Sequence, residues 1–349
     1  MSELDPIYKE LAGRLGMEHS DLLAQILAKL ATLEQARIVR ELPAPSEEIA
    51  EKLNIDKETV DRHIQELIEK ALVFPTKKGP QMARSLLQLH DASLSSNSKY
   101  LESLGKEFFN LWLEFDSTER YEDSVKMTAG GTRPLWRMIP KWRAIKDIPG
   151  TLPSEDVREI IKSQEVLALV PCCCKREHQE RECGVPEEVC INVSRTAQYN
   201  IDRGAGRQIT AEEALQVMDK MDEHPVVHMV INQASVTQIL CNCHICCCGP
   251  LWRMSRQEEY KMEQGIARSR FEAMVDPEKC QACGTCMERC QFGAAQMKYY
   301  PELGGERAYI DLDKCMGCGC CVISCPNEAR SMKLVRPPEH IPTAFEGIY

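Results

Sequence analysis

The chain has 349 residues, of which 43% are hydrophobic, so it is long enough for two or three domains with apolar cores. Its formal net charge of -10 argues against a protein built mainly to bind nucleic acid or anionic lipid. It contains no apolar run of the roughly 18 residues that a membrane-spanning helix needs, and its polar start lacks the apolar centre of a signal peptide. We therefore expect a cytoplasmic protein without membrane insertion.

Residues 1–82 are predicted to form a helical, winged-helix-like domain. After a first helical pattern in HSDLLAQILAKL, two more patterns at 46–53 and 56–70 are separated by a short break, and VFPTKKGP follows as a small wing. The segment 56–70 has a net charge of -2, and residues 1–80 carry fifteen acidic and eleven basic side chains. DNA-binding domains usually present a basic face, so the charge argues against DNA binding. It favours a docking or dimerisation module, for example in a homodimer.

Residues 83–160 are predicted to be a helical connector, in which the aromatic stretch KEFFNLWLEF belongs to the core. Residues 161–250 are predicted to form a cysteine-rich α/β domain with strands in EVLALV, VVHMVI and SVTQIL. A helix between them should begin with a capping box formed by Thr210 and Glu213. Two cysteine-rich loops directly follow predicted strands. If those strands are parallel neighbours, both loops open at one edge of the sheet and form one composite site.

The chain continues with a predicted connecting helix at 251–274 and a cysteine-rich module at 275–349. This module contains an internal repeat, KCQACGTCMERC and KCMGCGCCVISC, and each half has the spacing C-x2-C-x2-C-x3-C. That spacing binds [4Fe-4S] clusters in bacterial ferredoxins, because three closely spaced thiolates wrap a tight loop around one face of the cluster. The segment between the halves, QMKYYPELGGERAYIDLD, is predicted to be a hairpin with a Gly-Gly turn.

The module resembles a two-cluster bacterial ferredoxin. In that family the fourth cysteine of each run binds the other cluster. The resemblance therefore implies one [4Fe-4S] cluster on Cys280, Cys283, Cys286 and Cys325, and a second on Cys315, Cys318, Cys321 and Cys290. Gln291 departs from the family pattern, which usually has proline after that cysteine, and Cys320 is left over. Two other interpretations of these cysteines are disfavoured. A zinc ribbon needs longer spacers between its cysteine pairs, and a disulfide scaffold is typical of small secreted domains.

Ten further cysteines lie between residues 172 and 248. They can hold one or two additional [4Fe-4S] clusters, with zinc as the rival metal, because thiolates suit both. Adjacent side chains diverge, so neighbouring cysteines do not all face one site. The predicted ligands are Cys172, Cys174, Cys183 and Cys190 in one set, and Cys241, Cys243, Cys246 and either Cys247 or Cys248 in another. His178 and His244 are interpreted as hydrogen-bonding or exposed residues rather than ligands. Lys175 and Arg176 either offset cluster charge or lie in a solvated loop.

The cysteine pattern of residues 80–349 is similar to that of a group of (4Fe-4S)-binding proteins from anaerobes. Together these features predict an α+β multidomain protein, with a winged-helix-like N-terminal domain, an α/β cysteine-rich middle domain and a C-terminal two-[4Fe-4S] ferredoxin-like domain. The predicted function is electron transfer, as a subunit or partner of a larger anaerobic oxidoreductase, and no catalytic residue is assigned. Two alternatives stay open: a redox-sensing transcriptional regulator, and a reductase with a catalytic cluster in the middle domain.

Overall fold

The computed structural model describes residues 4–131, 133–236 and 238–344 and has a mixed α+β fold. The chain divides into two compact units that each combine distant segments. The first, called here the helical unit, consists of Met1–Asp123, Pro171–Glu180 and Asn200–Gly206. The second, called the sheet unit, consists of Ser124–Val170, Arg181–Tyr199 and Arg207–Tyr349. The division at residues 82, 160, 250 and 274 that the sequence suggests stays a prediction.

The helical unit begins with five short helices and a two-stranded hairpin. The elements are α1 (Ile7–Gly13), α2 (Asp21–Leu30), α3 (Leu33–Glu41), α4 (Ser46–Leu53), α5 (Lys57–Glu69), β1 (Val73–Phe74) and β2 (Gln81–Met82). The break between α4 and α5 is present, with Asn54 in the left-handed conformation. Side chains of Ser20, Thr32 and Asp56 cap α2, α3 and α5, as their residue types favour. The comparison of this region with a winged helix stays a prediction.

Two further helices complete most of the helical unit. They are α6 (Leu86–Leu94) and α7 (Ser98–Ser117), and α7 is interrupted by non-helical backbone at Gly105. The aromatic stretch of α7 belongs to the core as predicted, since Phe108, Trp112 and Phe115 are fully buried. Burial of such large side chains is a main source of folding free energy. The next helix, α8 (Glu119–Ala129), crosses from the helical unit into the sheet unit.

A seven-stranded sheet forms the centre of the sheet unit. Its strands are β3 (Trp136–Ile139), β4 (Leu167–Pro171), β5 (Glu188–Val193), β6 (Arg207–Gln208), β7 (Val227–Ile231), β8 (Ile239–Cys243) and β9 (Ile266–Ala267), in the spatial order β6-β4-β5-β8-β7-β3-β9. The short helices along this part are α9 (Trp142–Ile145), α10 (Val157–Lys162), α11 (Cys173–Glu177), α12 (Ser194–Asp202) and α13 (Ala211–Met221). The predicted capping box of Thr210 and Glu213 at α13 is confirmed.

The two strands that precede the cysteine loops, β4 and β8, are not neighbours, so the condition for one shared site at a sheet edge is not met. Strand β5 lies between β4 and β8, and β5 pairs with β8 in the antiparallel sense. Antiparallel pairing places the end of one strand beside the start of the next. The cysteines at the start of β5 and at the end of β8 are therefore brought together by strand pairing instead of by a shared sheet edge.

The predicted helix at 251–274 is also wrong. The segment forms α14 (Gly249–Ser255), α15 (Met262–Gly265), β9 and then β10 (Phe271–Val275). The apolar residues near its end alternate, with Phe271 and Ala273 buried and Met274 exposed, and this period of two belongs to a strand.

The C-terminal module contains two antiparallel strand pairs and two short helices. Strand β10 pairs with β13 (Arg330–Leu334), and β11 (Ala295–Tyr300) pairs with β12 (Gly305–Ile310) in the expected hairpin. The two single-turn helices are α16 (Thr285–Glu288) and α17 (Cys320–Ile323). Each follows one cysteine loop of the repeat, so the two halves have the same local structure.

Candidate metal centres

The two cysteine loops of the C-terminal module have the same backbone shape. In the first loop Ala282 and Gly284 have positive φ angles of 53° and 80°, and in the second the equivalent Gly317 and Gly319 have 69° and 76°. Two left-handed residues between three cysteines curl the backbone around a common centre. At Gly317 a side chain is excluded for a further reason, because a Cβ atom would lie 2.2 Å from the carbonyl oxygen of Phe271.

The first loop lines a cavity of the C-terminal module. The cysteines around it are Cys280, Cys283, Cys286 and Cys325, so three come from the first motif and one from the second. The amide of Ala308 donates to Cys280 Sγ at 3.3 Å, and Arg330 Nη2 donates to Cys286 Sγ at 2.7 Å. The cavity is therefore surrounded by four thiols and by hydrogen-bond donors directed at their sulfur atoms.

The second loop lines another cavity of this module. The cysteines around it are Cys290, Cys315, Cys318, Cys320 and Cys321. Four of these form the second crossed set that the resemblance implies. The fifth, Cys320, donates its thiol hydrogen to the carbonyl oxygen of Val226 at 3.3 Å.

These surroundings fit a thiolate-bound iron–sulfur cluster. Arg330 is buried, its Nη1 atom has no hydrogen-bond partner among the residues that the structure describes, and its Nη2 atom donates to the sulfur of Cys286. A buried guanidinium without a carboxylate partner is costly unless negative charge is close to it. A cluster with its thiolates supplies that charge, and N–H groups directed at sulfur stabilise it.

Burial determines the protonation of the thiols when no metal is bound. It raises the pKa of Cys321 to about 12, although the nearby Arg330 acts in the opposite direction. The pKa of Cys318 is also raised well above its usual value, by its interaction with Cys320 and by burial. At neutral pH these groups are neutral thiols without metal, so binding of a positive metal centre must displace their protons.

Gln291, which stands where the ferredoxin pattern has proline, connects the end of the first motif to the Cys241–Cys248 loop. Its Nε2 atom donates to the carbonyl oxygens of Pro225 and, at 3.2 Å, Cys243. Its Oε1 atom accepts from the amide of Ile245 at 2.5 Å. A proline side chain could make none of these contacts. The residue next to Cys290 therefore holds the middle cysteine loop directly.

Three middle cysteines meet through the pairing of β5 with β8. Ile191 is opposite Leu240, which places Cys190 opposite Cys241, and Cys243 lies two residues further on the same face of β8. The thiol of Cys241 interacts with those of Cys190 and Cys243, and these interactions together with burial raise the pKa of Cys241 well above its usual value. The side-chain amide of Asn192 also donates to Cys190 Sγ at 3.4 Å.

A second group in the sheet unit consists of Cys183, His244 and Cys246. One potential ligand atom from each of these three half-buried residues lies within 4.8 Å of the other two. The sequence-based sets placed Cys183 with Cys190, and Cys246 with Cys241. The structure instead brings Cys183 to Cys246 and Cys190 to Cys241, because strand pairing joins cysteines that are distant in sequence.

The cysteines of α11 belong to the helical unit. Cys173 donates to the carboxylate of Asp91 at 3.4 Å, while Lys175 Nζ lies 4.0 Å from Cys172 Sγ. Lys175 and Arg176 are buried, so the solvated-loop interpretation of these two residues is wrong. Arg176 donates to the carbonyl oxygens of Leu94 and Ser96 and thereby stabilises the turn between α6 and α7.

Beside these cysteines lies a buried ionic cluster that sequence reasoning missed. His90 Nε2 lies 3.0 Å from Glu177 Oε2, its Nδ1 lies 2.8 Å from Asp91 Oδ1, and Asp116 pairs with Arg120 at 3.0 Å. Burial by itself would lower the pKa of His90, but Glu177, Asp91 and Asp116 together raise it to about 10. No local sequence signal could have found this cluster, since His90 and Glu177 are 87 positions apart.

The sequence did not predict the contacts of Arg330 or of Gln291, and the reasons differ. Arg330 lies just after the last cysteine motif, and nothing in its sequence neighbourhood distinguishes it from a surface arginine. Gln291 was recognised as a departure from the ferredoxin pattern, and this signal was sufficient to select it. Its partners could not be predicted, because the Cys241–Cys248 loop lies more than 40 positions earlier in the chain.

Comparison with known protein families finds one match, in which residues 279–329 match the 4Fe-4S dicluster domain family. The matched region is well under half of the chain and contains both cysteine motifs. No curated protein and no solved structure matches the chain. The chain is thus an iron–sulfur protein with a ferredoxin-like C-terminal domain, and such a domain indicates a role in electron transfer. Among the described residues no helix is long and apolar enough to cross a membrane.

Proposed function

We propose that this protein transfers electrons through two [4Fe-4S] clusters in its C-terminal domain, one bound in each cavity. The first cluster takes Cys280, Cys283, Cys286 and Cys325, and the second takes Cys315, Cys318, Cys321 and Cys290. When bound, such clusters supply one-electron transfer at potentials that the protein sets. The chain contributes the thiolates, the burial and the hydrogen bonds.

The observation that carries the proposal is the composition of the two cavities. Each is lined by three cysteines of one motif and the last cysteine of the other. This exchange is the arrangement of two-cluster ferredoxins, in which it fixes both clusters relative to one backbone. The buried positive charge of Arg330 beside Cys286 supports the first cavity independently.

A redox partner is proposed to approach the first cavity. Cys283 is the exposed cysteine of that set, and the side chain of Met287 on the following helix is 42% exposed. Methionine is adaptable and common at surfaces that bind other proteins. We infer that this face receives a partner such as a larger oxidoreductase of anaerobic metabolism.

A further iron–sulfur cluster is proposed at Cys190, Cys241 and Cys243. The three thiols are brought together by β5 and β8, and Gln291 connects the backbone at Cys243 to the end of the first ferredoxin motif. Electron transfer between two centres is faster through a chain of bonded and hydrogen-bonded atoms than across an empty gap of the same length. In this arrangement electrons pass between the C-terminal domain and the middle cysteines inside the sheet unit.

Anaerobic purification with iron and sulfide analysis tests the proposal. The C-terminal domain alone should contribute about eight iron atoms per chain, and a third cluster should raise the count to about twelve. Reduced protein should give the EPR signals of interacting cubanes. A chain that arrives colourless, without iron, would contradict the function.

Matched variants in the second cavity test the ligand set. Cys321→Ser should remove about four iron atoms, because it takes away a predicted ligand. Cys320→Ser is the control, since it changes the adjacent thiol in the same cavity and retains a donor for the carbonyl oxygen of Val226. Equal loss of iron in both variants would show that the ligands have been assigned incorrectly.

A further inference from the structure

The grouping of Cys183, His244 and Cys246 differs in kind from the ferredoxin sites. In this group the three potential ligand atoms all lie within 4.8 Å of one another. Within 4–131, 133–236 and 238–344, no three of the eight ferredoxin cysteines come so close together. Those cysteines are instead arranged around two cavities.

Ligand spacing separates a single metal ion from a cluster. Thiolates that share one tetrahedral zinc ion, with bonds of about 2.3 Å, are separated by about 3.8 Å. Each thiolate of a cubane binds a different iron atom and points away from the centre, so these sulfur atoms lie considerably farther apart. A spacing within 4.8 Å therefore fits ligands around one ion and is too small for three corners of a cubane.

We propose that Cys183, His244 and Cys246 bind one divalent metal ion of the zinc class, with water completing a tetrahedral site. Two thiolates and an imidazole are ligands that zinc prefers. All three residues are half-buried, so the ion has access to solvent for the fourth position. This site is separate from the iron–sulfur clusters and does not depend on their function.

The backbone of the loop already places two of the ligands. The amides of Cys247 and Cys248 both donate to the carbonyl oxygen of His244, at 3.2 and 2.9 Å, which forms a tight turn directly after β8. The amide of Cys246 lies 3.3 Å from His244 Nδ1 and turns the ring back towards the loop. A turn fixed in this way lowers the entropy cost of binding a metal.

The contact with Gln291 gives the metal site a structural purpose. Gln291 accepts from the amide of Ile245, which lies between the two ligands His244 and Cys246. A metal ion that joins Cys183 to this loop would therefore help to hold the loop against the end of the first ferredoxin motif, at Gln291. Zinc has no redox chemistry, so it stabilises the arrangement without carrying electrons.

The test measures zinc and iron separately in anaerobically purified protein. The wild-type chain should contain about one zinc ion in addition to its iron. Cys183→Ser and Cys246→Ser should each lose the zinc while they retain the iron content and the EPR signals of the wild type. The matched control is Cys286→Ser, which should lose about four iron atoms and retain the zinc.

Replacement of zinc by cobalt distinguishes a built site from zinc that binds elsewhere. Cobalt in a tetrahedral site with thiolate ligands gives visible absorption bands, and these should appear in the wild type and be absent in Cys183→Ser and in His244→Gln. The proposal is overturned if the wild type binds less than half an equivalent of zinc. It is also overturned if Cys183→Ser and Cys246→Ser lose iron instead, which would assign these cysteines to a cluster.

Discussion

Arg330 shows how one residue can set the properties of a metal centre. Its guanidinium is buried and donates to Cys286 Sγ at 2.7 Å, on the side of the first cavity that faces β13. Reduction adds negative charge to a cluster, and a nearby cation with a hydrogen bond to sulfur stabilises the reduced form. The side chain therefore raises the reduction potential of any cluster bound there.

Replacement of Arg330 by Gln should lower that potential by on the order of 50 mV, the equivalent of one charge-assisted hydrogen bond weakened by about 1 kcal/mol. A redox titration followed by EPR measures the change. Lys333→Gln removes the same charge from an exposed position of the same strand and should have a much smaller effect. Equal shifts in the two variants would mean that only long-range charge matters.

His90 should influence the stability of the helical unit in a pH-dependent way. Its neighbours in the buried cluster are Asp91, Asp116, Arg120 and Glu177, and its pKa in the folded chain is raised to about 10. A group whose pKa is raised by folding makes its full contribution to the stability of the folded state when the pH is below its unfolded pKa, here near 6.5. That contribution is lost as the pH rises to the folded pKa of about 10.

The difference in thermal midpoint between the wild type and His90→Gln should therefore decrease steadily from pH 6.5 to pH 9.5. Circular dichroism of the helical signal measures it, with His19→Gln at an exposed position as the control. A difference that stays constant over this pH range would show that His90 is neutral in the folded protein.

At the scale of elements, one side chain of the C-terminal domain, Gln291, stabilises the conformation of the loop after β8. Gln291 makes contacts with Pro225, Cys243 and Ile245 that the usual proline could not make. Each hydrogen bond of this kind contributes about 1 kcal/mol. The loop should therefore open more easily without them, although the cysteines of the ferredoxin motif are unchanged.

Gln291→Ala should increase hydrogen exchange in residues 241–248 by about ten- to a hundred-fold, as expected for a loss of about 2 kcal/mol. Its iron content should stay close to that of the wild type. Gln281→Ala changes an exposed glutamine in the first motif and should leave exchange in the loop unaltered. If exchange in residues 241–248 is the same in all three proteins, the contacts do not hold the loop.

Local sequence patterns predicted several of the strands and helices and failed for others. The strands around 167–170, 227–231 and 239–240, and the helix capped by Thr210, follow from local periodicity and capping residues. The helix predicted at 251–274 failed because long polar stretches allow a helix without requiring one. The order of the strands could not be predicted, because several pairings satisfy the same hydrophobic pattern and only the packed sheet selects one.

For the whole molecule, the C-terminal domain has few large apolar residues and relies on its metal centres. Its buried core consists largely of Ala273, Ala294, Ala295, Ala308 and Ala329 together with the cysteines. Alanine side chains bury little apolar area, so they contribute little hydrophobic free energy. The helical unit, in contrast, buries phenylalanine, tryptophan and many leucines.

Oxidative removal of iron in the presence of a chelator should therefore unfold residues 271–334 and leave the five helices of residues 7–69 folded. Hydrogen exchange with mass spectrometry, before and after treatment, follows both regions in one sample. Readdition of iron and sulfide under reducing conditions should restore protection in 271–334. Loss of protection over the whole chain at once would mean that its folding is a single cooperative unit.

The sequence by itself determined that residues 279–329 form a ferredoxin-like, 4Fe-4S-binding module, because the spacing of three cysteines in a loop is a local property of the backbone. Tertiary structure alone decided which distant residues meet: Cys190 with Cys241, Cys183 with His244 and Cys246, and Arg330 with Cys286. These contacts depend on strand pairing and domain packing. Such long-range choices are fixed by the packing of the whole chain and leave no pattern in any single segment.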